Sequence, residues 1–185
     1  MKLSTGISGL DKVIDGVMLG DNIVWQIDSI EQYIHFVKPF CECAKKNKEK
    51  LVYFRFAKHQ ALVDDDDKVK IYHLNPKEDG FELFITKIHK VIQETGAGAY
   101  YVFDSYSELT EECYSDRMLG NFFMLTCPYL YKLETVAYFA IFRNQHSFHA
   151  VVPIRNTTQI FIDVYDYKNN TYIHPLKVDK RYSAT

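Results

Sequence analysis

The most concentrated set of residues that could do chemistry lies between two apolar stretches of the C-terminal half. It contains His146 and His149, in the sequence HSFH, together with Arg143 and Arg155. Because a guanidinium group binds two oxygens of a phosphate at once, one interpretation is an anion- or phosphate-binding loop. The alternative is a loop whose His and Arg side chains pair with Asp or Glu for packing, and we favour this alternative.

A second set follows two other apolar stretches. Arg55 and His59 lie at the end of one, and Asp104 ends the other. These side chains could contact a ligand near Asp104, but Arg55 could equally form an internal salt bridge with Asp104 or Asp28, which we expect. A zinc site at the two histidines of HSFH would need a third ligand such as Asp104 or His59. Nothing in the spacing requires one, so no metal site is predicted.

Hydrophobic periodicity predicts that strands and helices alternate along the chain. A buried strand at 22–28 precedes a helix that begins near Ser29, and Gln32 completes a capping-box pattern with that residue. Pro39 should kink this helix or disturb one turn. Further strands are predicted at 51–56, 69–74, 99–104, 135–142, 159–167 and 171–178, further helices at 81–94 and within 108–131, and a polar loop at 143–158.

This alternation predicts an α/β fold with a mainly parallel central sheet and helices on both faces. The last two strands, separated by Lys168-Asn169-Asn170, predict a C-terminal antiparallel β-hairpin. In parallel sheets ligands bind beyond the carboxyl ends of the strands. We therefore expect any site at 26–29, 55–59, 104–106 and 143–149.

Composition narrows the class of protein. The 185 residues are 47% hydrophobic and 15% aromatic, which excludes a disordered chain and favours one domain spanning 1–185. The net charge of −2 and the absence of a long basic block give no support to nucleic-acid binding. No apolar run is long enough for a membrane span, and no signal sequence is apparent, so a cytoplasmic location is expected. The four cysteines are then reduced and structural.

The opening sequence STGISGLDKVIDG resembles the entry motif of RecA/KaiC-type ATPase domains. The resemblance implies a three-layer RecA-like fold and a Walker A phosphate loop at 26–33, a range that includes Asp28 and Ser29. That loop is degenerate, because Gln26, Glu31, Gln32 and Tyr33 stand where the first Gly, the second Gly, the Lys and the Ser/Thr would be. Glycine gives phosphate access to backbone N–H groups, Lys supplies charge, and Ser/Thr holds magnesium, so phosphate binding is not expected.

Two further elements implied by the resemblance are also altered. Ala57 and Lys58 replace the catalytic glutamates, and only the Walker B-like acid is retained, as Asp104. In the final hairpin Lys177 matches a residue that reaches a neighbouring subunit, but Asp179 replaces the Arg that accompanies it. The resemblance therefore implies a domain that does not hydrolyse ATP and needs no cofactor.

A second resemblance concerns longer segments, among them DNIVWQIDSIEQY, LVYFRFAKH, YYVFDSYSEL and AYFAIFRNQHSFHA. They look like the N-terminal region of phosphoenolpyruvate-synthase-like proteins, in which a degenerate RecA-like domain precedes a phosphotransferase that binds pyruvate or phosphoenolpyruvate. This implies that the chain is the N-terminal part of a longer protein, with that phosphotransferase as its partner. A phosphohistidine role for His146 or His149 would fit this context.

The sequence thus predicts a catalytically inactive RecA/KaiC-like domain that acts as a regulatory or assembly module of a phosphoenolpyruvate-synthase-like phosphotransferase. The alternative is a ligand- or nucleotide-binding site of altered chemistry, and only that alternative involves ATP and Mg²⁺. Its residues would be Arg55, Asp104, Arg143, His146 and His149. A third possibility is a homo-oligomerisation ring.

Overall fold

The computed structural model describes residues 2–112 and 114–181, so Cys113 lies outside the described residues. The strands are β1 (Asn22–Ile27), β2 (Leu51–Arg55), β3 (Val69–His73), β4 (Tyr100–Ser105), β5 (Val136–Phe142), β6 (Ile160–Tyr167) and β7 (Asn170–Val178). The helices are α1 (Ser8–Ile14), α2 (Ile30–Lys46), α3 (Pro76–Thr95), α4 (Ser107–Glu112), α5 (Asp116–Lys132) and α6 (Phe148–Thr157). Each predicted strand and each of the three predicted helices corresponds to an element of the same type in the structure.

All seven described strands form one sheet in the order β3-β2-β4-β5-β1-β6-β7. The neighbouring strands are parallel, except that β6 and β7 form an antiparallel hairpin. The α/β class, the mainly parallel sheet and the terminal hairpin are confirmed. The parallel order brings the carboxyl ends of β1, β2, β4 and β5 to one edge of the sheet, which we call the carboxyl edge.

The strands supply alternate side chains to two hydrophobic clusters. Trp25 belongs to the cluster to which α1 and α2 contribute, whereas its neighbour Val24 belongs to the cluster of α3, α4, α5 and α6. This follows from the two-residue period of a strand. The direction of the chain explains which helices share a cluster. Connections through α2 and through α3, α5 and α6 run in opposite directions along the sheet, and right-handed crossovers then place the helices on opposite faces.

Helix α2 follows β1 after a turn of only two residues, Asp28 and Ser29. One face of this helix, including Tyr33, Val37 and Phe40, is buried, and the helix continues past Pro39 to Lys46. The predicted capping box is wrong. Ser29 holds the N-cap position without a capping hydrogen bond from its side chain. The Oε1 atom of Gln32 accepts a hydrogen bond at 2.8 Å from the backbone of Asp28, one residue before the cap.

The predicted polar loop at 143–158 is also wrong in its second half, which forms α6. Only Ala150 and Ile154 of this helix are buried, so its apolar stripe is too narrow to distinguish from a loop. Pro153 within the helix obscured the pattern further. The residues before β1 contain the short helix α1.

The hairpin of β6 and β7 has a two-residue turn, in which Lys168 and Asn169 both have positive φ angles of 48° and 63°. Two consecutive positive φ values are those of a type I′ turn, whose twist matches that of the strands. Among the described residues, no helix combines the length and the apolar character that crossing a bilayer demands.

The reactivity of the cysteines tests their structural role. Burial raises the pKa of the Cys41 thiol to about 12 and also raises the pKa of Cys127, whereas Cys43 is half-exposed. Because the thiolate is the reactive form, iodoacetamide should alkylate Cys43 roughly tenfold faster than either buried cysteine, or more. Peptide mapping by mass spectrometry separates these sites from Cys113. Equal rates at Cys41 and Cys43 would contradict the prediction.

Candidate functional site

The carboxylate of Asp104 lies at the centre of the carboxyl edge and is fully buried at the end of β4. The phenol of Tyr53 donates a hydrogen bond to its Oδ1 atom. Its Oδ2 atom accepts hydrogen bonds from Arg55 Nη1 at 3.1 Å and from the backbone amides of Phe56 and Ala57 at 2.7 and 2.8 Å. Both oxygens of Asp104 thus already accept hydrogen bonds from the chain itself.

The Arg55–Asp104 salt bridge agrees with the internal pairing expected from the sequence. Arg55 also donates to the carbonyl of His59, which fixes the segment after β2 against the guanidinium. Burial, followed by the charge of Asp104, raises the pKa of Tyr53. The phenol therefore keeps its proton and remains a hydrogen-bond donor to Asp104.

His59 is brought into the same cluster. Its side chain is 7% exposed, and its Nδ1 atom lies 2.7 Å from the carbonyl of Gln60. Its Nε2 atom lies 3.5 Å from Asp104 Oδ1 and 3.7 Å from Glu108 Oε1, and it has no hydrogen-bond partner among the described residues. Sequence reasoning identified His59 but not Tyr53 or Glu108, since nothing in their local patterns separates them from core or helix-surface positions.

Residues 26–33, where the resemblance places a degenerate Walker A loop, are folded mostly into β1 and α2. Gln26 lies in β1 and donates to Asp163 at 2.7 Å, and Gln32 lies in α2 and donates to Asp166 at 2.8 Å. Tyr33 is fully buried, and its hydroxyl donates to the carbonyl of Phe103 at 3.3 Å. Only the Asp28–Ser29 turn is left between strand and helix, so no open loop of backbone amides faces the carboxyl edge.

Charge at the start of α2 also opposes phosphate. A hydrogen bond from its own backbone amide, and then one from the Ser29 hydroxyl, lower the pKa of Glu31. This side chain is therefore a carboxylate at neutral pH. It stands at the helix N-terminus, which in a phosphate-binding loop would attract the anion.

Arg143 is committed to two carboxylates. Its Nε atom donates to Asp28 at 2.8 Å, and its Nη1 atom donates to the two oxygens of Asp163 at 2.6 and 2.7 Å. Its Nη2 atom donates to the carbonyl of Val164. All three nitrogens of the guanidinium are thus engaged, which matches the packing alternative of the sequence analysis and not the anion-binding one.

The other members of the predicted anion-binding loop have different surroundings. His146 is buried against Ser107 and Asp116, whereas His149 is exposed on α6. Arg155 is exposed and lies 5.6 Å from the ring centre of Phe161. The sequence analysis grouped these side chains in one anion-binding loop, whereas in the structure their surroundings differ.

Lys177 lies on β7 and caps the end of α6. Its Nζ atom donates to the carbonyls of Arg155 at 2.7 Å, of Asn156 at 3.3 Å and of Thr158. It also lies 3.4 Å from a carboxylate oxygen of Asp179. The intersubunit role suggested for Lys177 stays a prediction, since these contacts are all within one chain.

Within the described ranges, no group of three or more His, Cys, Asp or Glu side chains is arranged to hold a metal ion. A scan against protein-family models found no model that matches the chain. A search among curated proteins likewise found no match.

Proposed function

We propose that the chain is a RecA/KaiC-like domain, catalytically inactive as an ATPase, that serves as a regulatory or assembly module. The observation that carries the proposal is that the carboxylate of Asp104 already accepts hydrogen bonds from Tyr53, Arg55 and two backbone amides. A carboxylate whose oxygens already accept four hydrogen bonds offers little to a hydrated magnesium ion. The Arg55 guanidinium beside it further repels a cation.

The turn between β1 and α2 also argues against ATP hydrolysis, because it does not have the form of a phosphate-binding loop. Phosphate loops bind through successive backbone N–H groups that bare glycines expose. Here two residues replace that loop, and the carboxylate of Glu31 follows them. Arg143, which the sequence analysis considered as a phosphate ligand, forms ion pairs with Asp28 of this turn and with Asp163. These two carboxylates neutralise its charge.

The proposal includes a three-layer RecA-like arrangement. Two hydrophobic clusters, one with α1 and α2 and one with α3–α6, support it, as does an element order that ends in a hairpin. The module would act in the cytoplasm, without a cofactor of its own. Its partner would be a phosphoenolpyruvate-synthase-like phosphotransferase in the same longer chain, as the resemblance of DNIVWQIDSIEQY and the other segments implies.

Calorimetric titration with ATP·Mg²⁺, ADP·Mg²⁺ and phosphoenolpyruvate tests the proposal. We expect no binding heat for the nucleotides up to ligand concentrations of about 1 mM, a range in which even a weak site of roughly −4 kcal/mol is detectable. Micromolar nucleotide binding would overturn the proposal. If such binding were lost in Arg143→Ala but kept in Arg117→Ala, an exposed arginine of α5, the altered-site alternative would replace it.

A further inference from the structure

Ser107, His146 and Asp116 form a hydrogen-bonded chain that the proposed function does not use. Ser107 Oγ lies 2.6 Å from His146 Nε2, and His146 Nδ1 lies 2.8 Å from Asp116 Oδ1. Because a carboxylate only accepts, Nδ1 carries the proton and Nε2 is free to accept from the serine hydroxyl. This is the order of groups in a nucleophile, base and orienting carboxylate.

Three separate elements hold these groups in place. Ser107 is the first residue of α4, two positions after β4 ends, and His146 lies between β5 and α6. Asp116 is the first residue of α5, where a carboxylate is stabilised by the helix dipole. Its Oδ2 atom accepts from the amide of Ser147 at 2.6 Å.

The carboxylate is also held in its charged form. Partial burial opposes this charge, but hydrogen bonds from the Ser147 amide and from His146 outweigh it and lower the pKa of Asp116. A charged Asp116 fixes the tautomer of His146 and stabilises the imidazolium that forms when His146 takes a proton. The Ser107 hydroxyl therefore faces a base that is already oriented.

We propose that Ser107 is a masked nucleophile for acyl transfer from small, uncharged carboxylic esters. Ser107 Oγ forms a bond to the acyl carbon while its proton passes to His146 Nε2. The bond from the acyl carbon to the ester oxygen then breaks, and the departing alcohol takes the proton from His146. Water, deprotonated by His146, then forms a bond to the acyl carbon. The bond from that carbon to Ser107 Oγ breaks and Oγ takes the proton back from His146, so the net reaction is hydrolysis of the ester.

Access to Ser107 requires a local displacement, because its side chain is fully buried and that of His146 is only 1% exposed. A surface depression of about 500 Å³ lies next to the triad, lined by Thr110, Tyr114, Ser115, Asp116 and Gln145. Gln145, which lines this depression, and its neighbour Asn144 are exposed. The carboxylate of Asp116 in this depression favours uncharged esters over anionic ones.

A fluorophosphonate probe applied to the native protein tests the proposal, with the labelled residue identified by peptide mapping. The probe reacts with an activated serine, which forms a bond to phosphorus and releases fluoride. We expect labelling at Ser107 in the native protein and none after denaturation in urea, which separates the triad. Replacing the base, His146→Gln, should lower the labelling rate by roughly 100-fold or more. Asp116→Asn should lower it less and shift its pH profile, since Asp116 is a positioning residue.

Ser105→Ala is the matched control. Ser105 lies on the same strand end, is fully buried, and its Oγ atom has no hydrogen-bond partner among the described residues. The variant should be labelled like the unmodified chain, whereas Ser107→Ala should not be labelled. Absence of label at Ser107 in the folded native protein would overturn the proposal. Labelling that is unchanged in His146→Gln would overturn it too. Neither result depends on nucleotide binding, so the proposed function is tested separately.

Discussion

Replacing Arg181 with alanine is expected to lower the free energy of unfolding by about 3–5 kcal/mol, because it leaves a buried carboxylate without its countercharge. The side chains of Arg181 and Asp21 are 2% and 3% exposed. Two hydrogen bonds of 2.7 and 2.9 Å join them, and Arg181 also donates to the carbonyl of Gly16 at 2.7 Å. Urea denaturation followed by the fluorescence of Trp25, the single and fully buried tryptophan, measures the loss.

Two further variants make this result specific. Arg117→Ala removes an exposed arginine and should change stability little. Arg181→Lys keeps the charge but not the paired geometry of the guanidinium, so its stability should lie between those of the unmodified chain and Arg181→Ala. A loss below about 1 kcal/mol in Arg181→Ala, which is the range of exposed ion pairs, would show that the pair is solvated in solution.

Asp104→Asn is expected to lower the free energy of unfolding by a similar amount, about 3–5 kcal/mol. The carboxylate accepts hydrogen bonds from four donors, whereas the amide that replaces it has one oxygen and no charge. The substitution is nearly isosteric, and so the loss reports electrostatics and hydrogen bonding more than packing. Arg55 is left without its countercharge, and the new NH2 group faces either the Tyr53 hydroxyl or the three donors that Oδ2 accepts from. Urea denaturation again provides the measurement.

A double-mutant cycle separates the ion pair from the rest of this network. In the Arg55→Met background the cost of Asp104→Asn should be smaller, because no guanidinium remains unpaired. Asp66→Asn, which removes the charge of the exposed Asp66 from its pair with Lys45, is the matched surface control and should have a much smaller effect than Asp104→Asn. Additive effects of Arg55→Met and Asp104→Asn would show that the two side chains do not interact in solution.

The sequence predicted the parts of the fold that are encoded locally. The strand at 22–28 and the helix after it were found because their apolar residues repeat with the periods of a strand and a helix. A salt bridge of Arg55 with Asp104 or Asp28 was expected, because parallel strands bring their carboxyl ends to one edge, and the structure shows the pair with Asp104. Helix α6 was missed since only Ala150 and Ile154 are buried.

Partners that are distant along the chain were beyond sequence reasoning. Asp21 and Arg181 are separated by 160 positions, and Ser107 and His146 by 39. His146 was identified as a candidate, but its partners depend on how α4 and α5 follow β4. For Arg143 the sequence suggested a function that the structure does not support. An arginine can bind an anion, but only the structure shows that this one already pairs with Asp28 and Asp163.

The two-residue Asp28–Ser29 turn has a consequence for how such a domain can change over time. Gln26 is already part of β1, and Glu31 is already part of α2. Glycine and lysine introduced at 26, 31 and 32 would therefore weaken a strand and the first turn of a helix before any phosphate loop formed. A phosphate loop at this connection would need inserted residues as well as substitutions. Single point mutations alone therefore do not create one here.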